Sequence, residues 1–202
     1  MSLRERLRAA PATCFYLFAL LVTSATLASA RPVVRSELLR ELSTNLTNLQ
    51  HYPVRVLVLS AFWIDTVRVA PVLILFALIS VPLEDWLGTK RWLAVFVLGH
   101  VGATLITALG VYVWTDNGAH DRHLLHTVDV GVSYGLYAIA AVLIYRLPPR
   151  WRIPYGLLLI VSLAVATFFD ATFTDVGHLC AIAIGFACYP LTRDRPRVPA
   201  PA

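Results

Sequence analysis

Charge is what this sequence has least of. Asp, Glu, Lys and Arg make up 14% of its 202 residues against 58% hydrophobic, with a mean hydropathy of +0.69, whereas a soluble domain is about a quarter charged. That balance excludes a water-soluble fold, and the chain reads as an integral membrane protein. Cysteine is equally thin. Cys14, Cys180 and Cys188 are odd in number, lie inside apolar runs and show no metal-site spacing, so they read as small packing residues. No internal repeat is evident. The net charge of +5 raises nucleic acid as a partner, but most basic residues sit at the ends of apolar runs, where they anchor and orient helices. No nucleic-acid role is expected.

What is present is a series of apolar runs. Six candidate spans cover about 12–30, 67–81, 92–114, 128–145, 153–169 and 175–191, read as transmembrane helices by length and apolarity. Together they make one membrane domain over 1–192, followed by a proline-rich tail, 193–202, expected to be disordered. The first run follows Arg4, Arg6 and Arg8 and ends Ala28-Ser29-Ala30-Arg31, which is also the pattern of a secretory signal peptide; its length and the even number of spans favour retention. Residues 31–66 form an external loop. Within it Val34, Leu38, Leu39, Leu42, Leu46 and Leu49 recur at three-to-four spacing, an amphipathic helix over 32–50 lying in the interface. Val56 to Trp63 dips into the membrane only under cover of protein. Pro71 is expected to break the second span, and 82–91 to form a turn. Lys90 and Arg91, Arg146, Arg150 and Arg152, and Arg193, Arg195 and Arg197 share the side of the first arginines. The positive-inside rule makes that side cytoplasmic, with both termini inside the cell membrane.

Two short motifs carry the chemistry. Gly131-Val132-Ser133-Tyr134-Gly135 opens the fourth span, and Gly177-His178, followed by Ala181 and Gly185, opens the sixth. The shared four-residue spacing predicts two small-residue faces packed against each other. Ser133 then lies about 6 Å below Asp129, and His178 about 4.5 Å below Asp175, at about 1.5 Å per residue. A hydroxyl and an imidazole at one depth near the outer surface suit a Ser-His dyad. The imidazole takes the hydroxyl proton while the oxygen attacks a carbonyl, then returns it to the leaving amine. Asp129 and Asp175, placed just ahead of the two helices, read as N-terminal caps, with a carboxylate acting on His178 as the lesser option.

These residues resemble the rhomboid intramembrane serine proteases, and look closest to the divergent actinobacterial rhomboid-like proteins. The likeness runs over about 12–192. It takes in Gly131-x-Ser133 with Tyr137 one turn on, Gly177-His178 with Ala181 and Gly185, the Leu83-Glu84 to Gly88 turn, and the Ser60-Ala61-Phe62 segment of the external loop. The resemblance implies a six-helix fold with Ser133 as nucleophile, His178 as base and Tyr137 as the ring stacked on the histidine. It implies transmembrane protein substrates cut near their outer end, with no metal and no cofactor. The chain departs from that pattern at the histidine and asparagine that help hold the oxyanion on span two. Arg68 and Val72 stand there, and Arg68 reads equally as replacement charge or as a snorkelling anchor. Tyr134 follows the serine where a small residue is usual, and Ala181 takes the place of a glycine. The competing reading is a rhomboid relative of weak or no activity that binds transmembrane clients.

Three lesser motifs complete the reading. His120, His123 and His126, with Asp116 or Asp121, are a weak metal-site candidate. His100 and Thr104 on span three mimic a His-x-x-x-Asn pattern, but His100 falls toward the cytoplasmic side and reads as a packing histidine hydrogen-bonded to a neighbouring helix. Asn45-Leu46-Thr47 is a glycosylation sequon by pattern alone.

Overall fold

The computed structural model describes residues 5, 8–64, 69–116, 127–169 and 172–196. Arg68, Asp121, His120, His123 and His126 lie outside the described residues. In chain order the helices are α1 (Pro11–Ser29), α2 (Pro32–Leu42), α3 (Leu46–His51), α4 (Pro53–Leu59), α5 (Val69–Leu87), α6 (Thr89–Asp116), α7 (Ser133–Leu143), α8 (Pro149–Phe169) and α9 (Phe173–Ala187), with 3-10 turns at Ser60–Phe62 and Tyr189–Thr192. The described residues contain no strand. Helices α1, α5 and α6 are each long and apolar enough to cross a membrane. A chain with several such helices passes the bilayer more than once and meets its lipid through outward side chains such as Phe15, Phe18, Leu78, Leu109 and Leu158, all exposed.

The helices differ from the hydropathy runs at their ends, for identifiable reasons. Pro71 does not break α5. The described residues on both sides of the proline, from Val69 on, are helical. Pro82 lies inside the same helix, which continues to Leu87, so most of the expected 82–91 turn is helical. The break comes at Gly88, whose φ of 81° is the left-handed conformation that ends helices. The expected single amphipathic helix over 32–50 is two. Asn45 is buried and accepts a hydrogen bond from the Asn48 N–H at 2.9 Å, starting α3 as its N-cap; a side chain so employed is not presented as a glycosylation acceptor. Residues 193–196 of the expected disordered tail are docked. The Arg91 guanidinium reaches the Leu191 carbonyl and the Asp194 carboxylate, the Arg195 guanidinium the Leu87 carbonyl, and the Trp86 indole N–H the Pro196 carbonyl.

At the centre stands α7. It packs against α6 and α9 most extensively, and α5 and α8 flank it; eight of its residues are buried. At about 1.5 Å per residue its 11 residues span roughly 16 Å, about half of a bilayer core. So short a helix suffices because protein, not lipid, surrounds it: irregular backbone at membrane depth is tolerated where other elements cover it. One core cluster joins Tyr16, Phe76, Trp92, Phe96 and Ile139 across α1, α5, α6 and α7, with Trp92 and Phe96 stacked at 5.6 Å. A second joins Ala140 and Ala141 of α7 to Leu159 and Leu163 of α8 and Ile182 of α9. The site lies where α7 begins, at the end of the bundle covered by α2, α3 and the 60–63 turn.

Candidate functional site

Ser133 is the first residue of α7. The residue before it, Val132, gives no side-chain cap, and the first helical hydrogen bond runs from the Leu136 N–H to the Val132 carbonyl at 2.8 Å. The N–H groups of Ser133, Tyr134 and Gly135 therefore have no acceptor in the preceding turn. Two positions upstream, Gly131 has a φ of 127°, a conformation a side chain would strain. Its N–H donates to the Ser60 carbonyl at 2.9 Å. The backbone leading into the serine is thus fixed by the 3-10 turn at Ser60–Phe62, and α7 starts late, five residues beyond the expected 128.

His178 sits in the second turn of α9, facing α7. Its ring centroid lies 4.7 Å from that of Tyr137 and 5.2 Å from that of Tyr134. Its side chain is 17% exposed, and neither ring nitrogen has a hydrogen-bond partner among the described residues. The nearest charge is Asp175. One carboxylate oxygen is 3.9 Å from His178 Nδ1, beyond a hydrogen bond, while the other accepts the Thr172 N–H at 2.8 Å. Asp175 thus serves α9 as the third-position half of a capping box whose N-cap is Thr172. The Thr-x-x-Asp spacing ahead of an apolar run carries that signal in the sequence, although Asp175 alone was expected as the cap.

Asp129 is not the cap of α7. Its carboxylate accepts from the Thr44 hydroxyl at 3.1 Å and from the Tyr134 hydroxyl at 3.2 Å. Its carbonyl accepts the Thr44 N–H and hydroxyl, each at 2.9 Å, and its N–H donates to Ser43 Oγ at 2.8 Å. The residue locks the 127–129 backbone to the Ser43-Thr44 link between α2 and α3. Nothing in the sequence pairs these segments, because 85 positions separate Thr44 from Asp129.

The glycines pack differently from the expected pair of facing tracks. Gly131 precedes the helix, and a Cβ on Gly135 would meet the Phe96 ring of α6 rather than α9. The residues α7 turns toward α9 are Tyr134, Ala138 and Ala141. A Cβ on Gly177 would collide with the Tyr134 ring, and one on Gly185 with the Ala138 carbonyl and Ala141 Cβ; Ala181 is fully buried beside Tyr134 and Ala103. The small residues on α9 do admit a close neighbour, and at Gly177 that neighbour is an aromatic ring. His100 hydrogen-bonds through Nε2 to the Leu57 carbonyl at 3.0 Å and Ser60 Oγ at 3.3 Å, tying α6 to α4 and the 3-10 turn after it.

No curated protein and no solved structure matches this chain. The family model described as rhomboid-like protein matches residues 5–198, which takes in every helix described above. The chain belongs to the rhomboid-like protein family.

Proposed function

We propose that this protein is an intramembrane serine peptidase that cuts transmembrane proteins near their outer end, with Ser133 as nucleophile and His178 as general base. The observation that carries the reading is the state of His178. A largely buried imidazole with neither nitrogen hydrogen-bonded, and only the Asp175 carboxylate at 3.9 Å from Nδ1, faces the helix that the serine opens, between two aromatic rings of that helix. An unpaired buried polar side chain costs about 1–3 kcal/mol, so a fold that keeps one has a use for it. In the reaction Ser133 Oγ attacks the scissile carbonyl as its proton passes to the imidazole. The free N–H groups at the start of α7, aided by the positive end of the helix dipole, stabilise the oxyanion. The imidazolium then protonates the leaving amine, and water, activated by the same base, hydrolyses the acyl-enzyme. Backbone donors of this kind answer the missing span-two pair, where Val72 brings no polar group.

The same reading takes the chain as one domain of six spans in the cell membrane with both termini cytoplasmic. A second reading, a client-binding relative without chemistry, draws on one observation: Ser133 and His178 share no hydrogen bond. Labelling of the detergent-purified protein with a fluorophosphonate separates the two. The peptidase labels at wild type and loses the label in Ser133→Ala and His178→Ala; a folded wild type that takes no label is the client binder.

A further inference from the structure

We infer that Tyr134, held by Asp129 and Thr44, is a positioning residue that sets the orientation of the His178 ring and couples it to the first external loop. The idea rests on the proposed peptidase only for its catalytic consequence; the coupling itself stands on geometry. Tyr134 is 3% exposed. Its ring fills the space that Gly177 leaves by lacking a side chain, immediately before His178 in α9, and meets the imidazole edge-on, with 70° between the planes. Tyr137 lies against the same imidazole at 46°. With two rings on it and no hydrogen bond to either nitrogen, the imidazole takes its orientation from packing. Whatever fixes Tyr134 therefore fixes one of the two rings that hold His178.

What fixes Tyr134 is its hydroxyl. It donates to Asp129 Oδ2, and the Thr44 hydroxyl shares its one proton between that oxygen and the Asp129 carbonyl. Thr44 is 6% exposed, and Ser43 and Asn45 beside it are buried too. A buried polar link of this kind, with its donors and acceptors paired, is stiff. Movement of α2 and α3, which lie on either side of the link, is passed through Thr44, Asp129 and Tyr134 to the imidazole, although neither Thr44 nor Asp129 makes a ring contact with it. The bulky residue directly after the nucleophile thus has a task that a glycine there would leave undone.

The test uses full-length protein carrying ¹³C-labelled histidine, with the His178 ring resonance assigned by its loss in His178→Asn. Tyr134→Phe keeps the ring and removes the tether; Thr44→Val removes the outer hydroxyl; Thr44→Ser restores it. The expected result is a shifted His178 resonance in Tyr134→Phe and in Thr44→Val, with return to the wild-type position in Thr44→Ser. Fluorophosphonate labelling of Ser133 should slow by about tenfold or more in the first two, since a small misplacement of a reacting group carries a cost of that order. An unmoved resonance in Tyr134→Phe overturns the inference whatever the labelling does. A shifted resonance in protein that never labels, wild type included, upholds the coupling and removes the peptidase reading.

Discussion

A carboxylate shut away from water survives only on the donors the fold brings to it. Glu84 is fully buried and accepts the Ala12 N–H at 3.0 Å, the Thr13 N–H at 2.7 Å and the Thr89 hydroxyl at 2.7 Å. It supplies α1 with the N-terminal anion its own sequence lacks. Glu84→Gln turns one acceptor into a donor facing N–H groups and removes the charge, so it should destabilise the fold by about 1–3 kcal/mol. A fall in the thermal midpoint of the detergent-solubilised protein checks this, and an unchanged midpoint would show that the cap is idle. The sequence marks Glu84 only as part of a turn, because its helix-capping partners stand 71 and 72 positions away. The motifs around Ser133 and around His178 could be picked out for the opposite reason: the spacing of Ser133 to Tyr137, and of Gly177-His178 to Gly185, within one or two helical turns is a local property. Tyr134 was legible as an oddity and not as a tethered ring, since its tether runs through Asp129 to Thr44.

At the level of helices, the presence of a helix in each apolar run could be read from the sequence, whereas its ends could not, because the ends are set by contacts. α7 begins at Ser133 since Ser43, Thr44 and Ser60 claim the backbone of 127–131, and α5 continues through Pro82 into the cluster around Leu83, Trp86 and Leu87. Small residues show the same division. The spacing of Gly177, Ala181 and Gly185 announces close packing without saying what packs. Gly185→Ala would drive its Cβ into the Ala138 carbonyl, a backbone atom that yields only if α7 shifts. Among the described residues, nothing lies within 4 Å of where a Cβ on Gly110 of α6 would stand. Gly185→Ala should therefore lower the thermal midpoint by several degrees, while Gly110→Ala should leave it unchanged or raise it by the helix-propensity gain of about 0.5–1 kcal/mol. Equal effects of the two substitutions would mean that the α7–α9 contact is looser than its geometry.

For the whole molecule the informative contacts are those between segments far apart in sequence at one end of the bundle. Glu84 holds the start of α1, the Arg146 guanidinium reaches the Pro82 carbonyl at 2.6 Å, and Arg91 grips Asp194. The start of α1, the α5–α6 turn, the loop after α7 and the segment after α9 thus share one end, and Lys90, Arg91, Arg146, Arg193 and Arg195 travel with them. That grip is insensitive to ordinary pH. Hydrogen bonds from Arg91 lower the Asp194 carboxyl from 3.8 to about 2, so its contribution is complete above the usual carboxylate range and is lost only as pH falls from about 4 towards 2. Six spans with both termini inside then make a prediction for intact cells, in protein whose three native cysteines are replaced. A cysteine at Ser36 or Tyr52, on the external loop, should react with an impermeant maleimide from outside. One at Lys90 or Arg150 should react only after lysis. Ser36 and Arg150 reacting from the same side would overturn the even number of crossings and, with it, the placing of Ser133 and His178 near the outer surface.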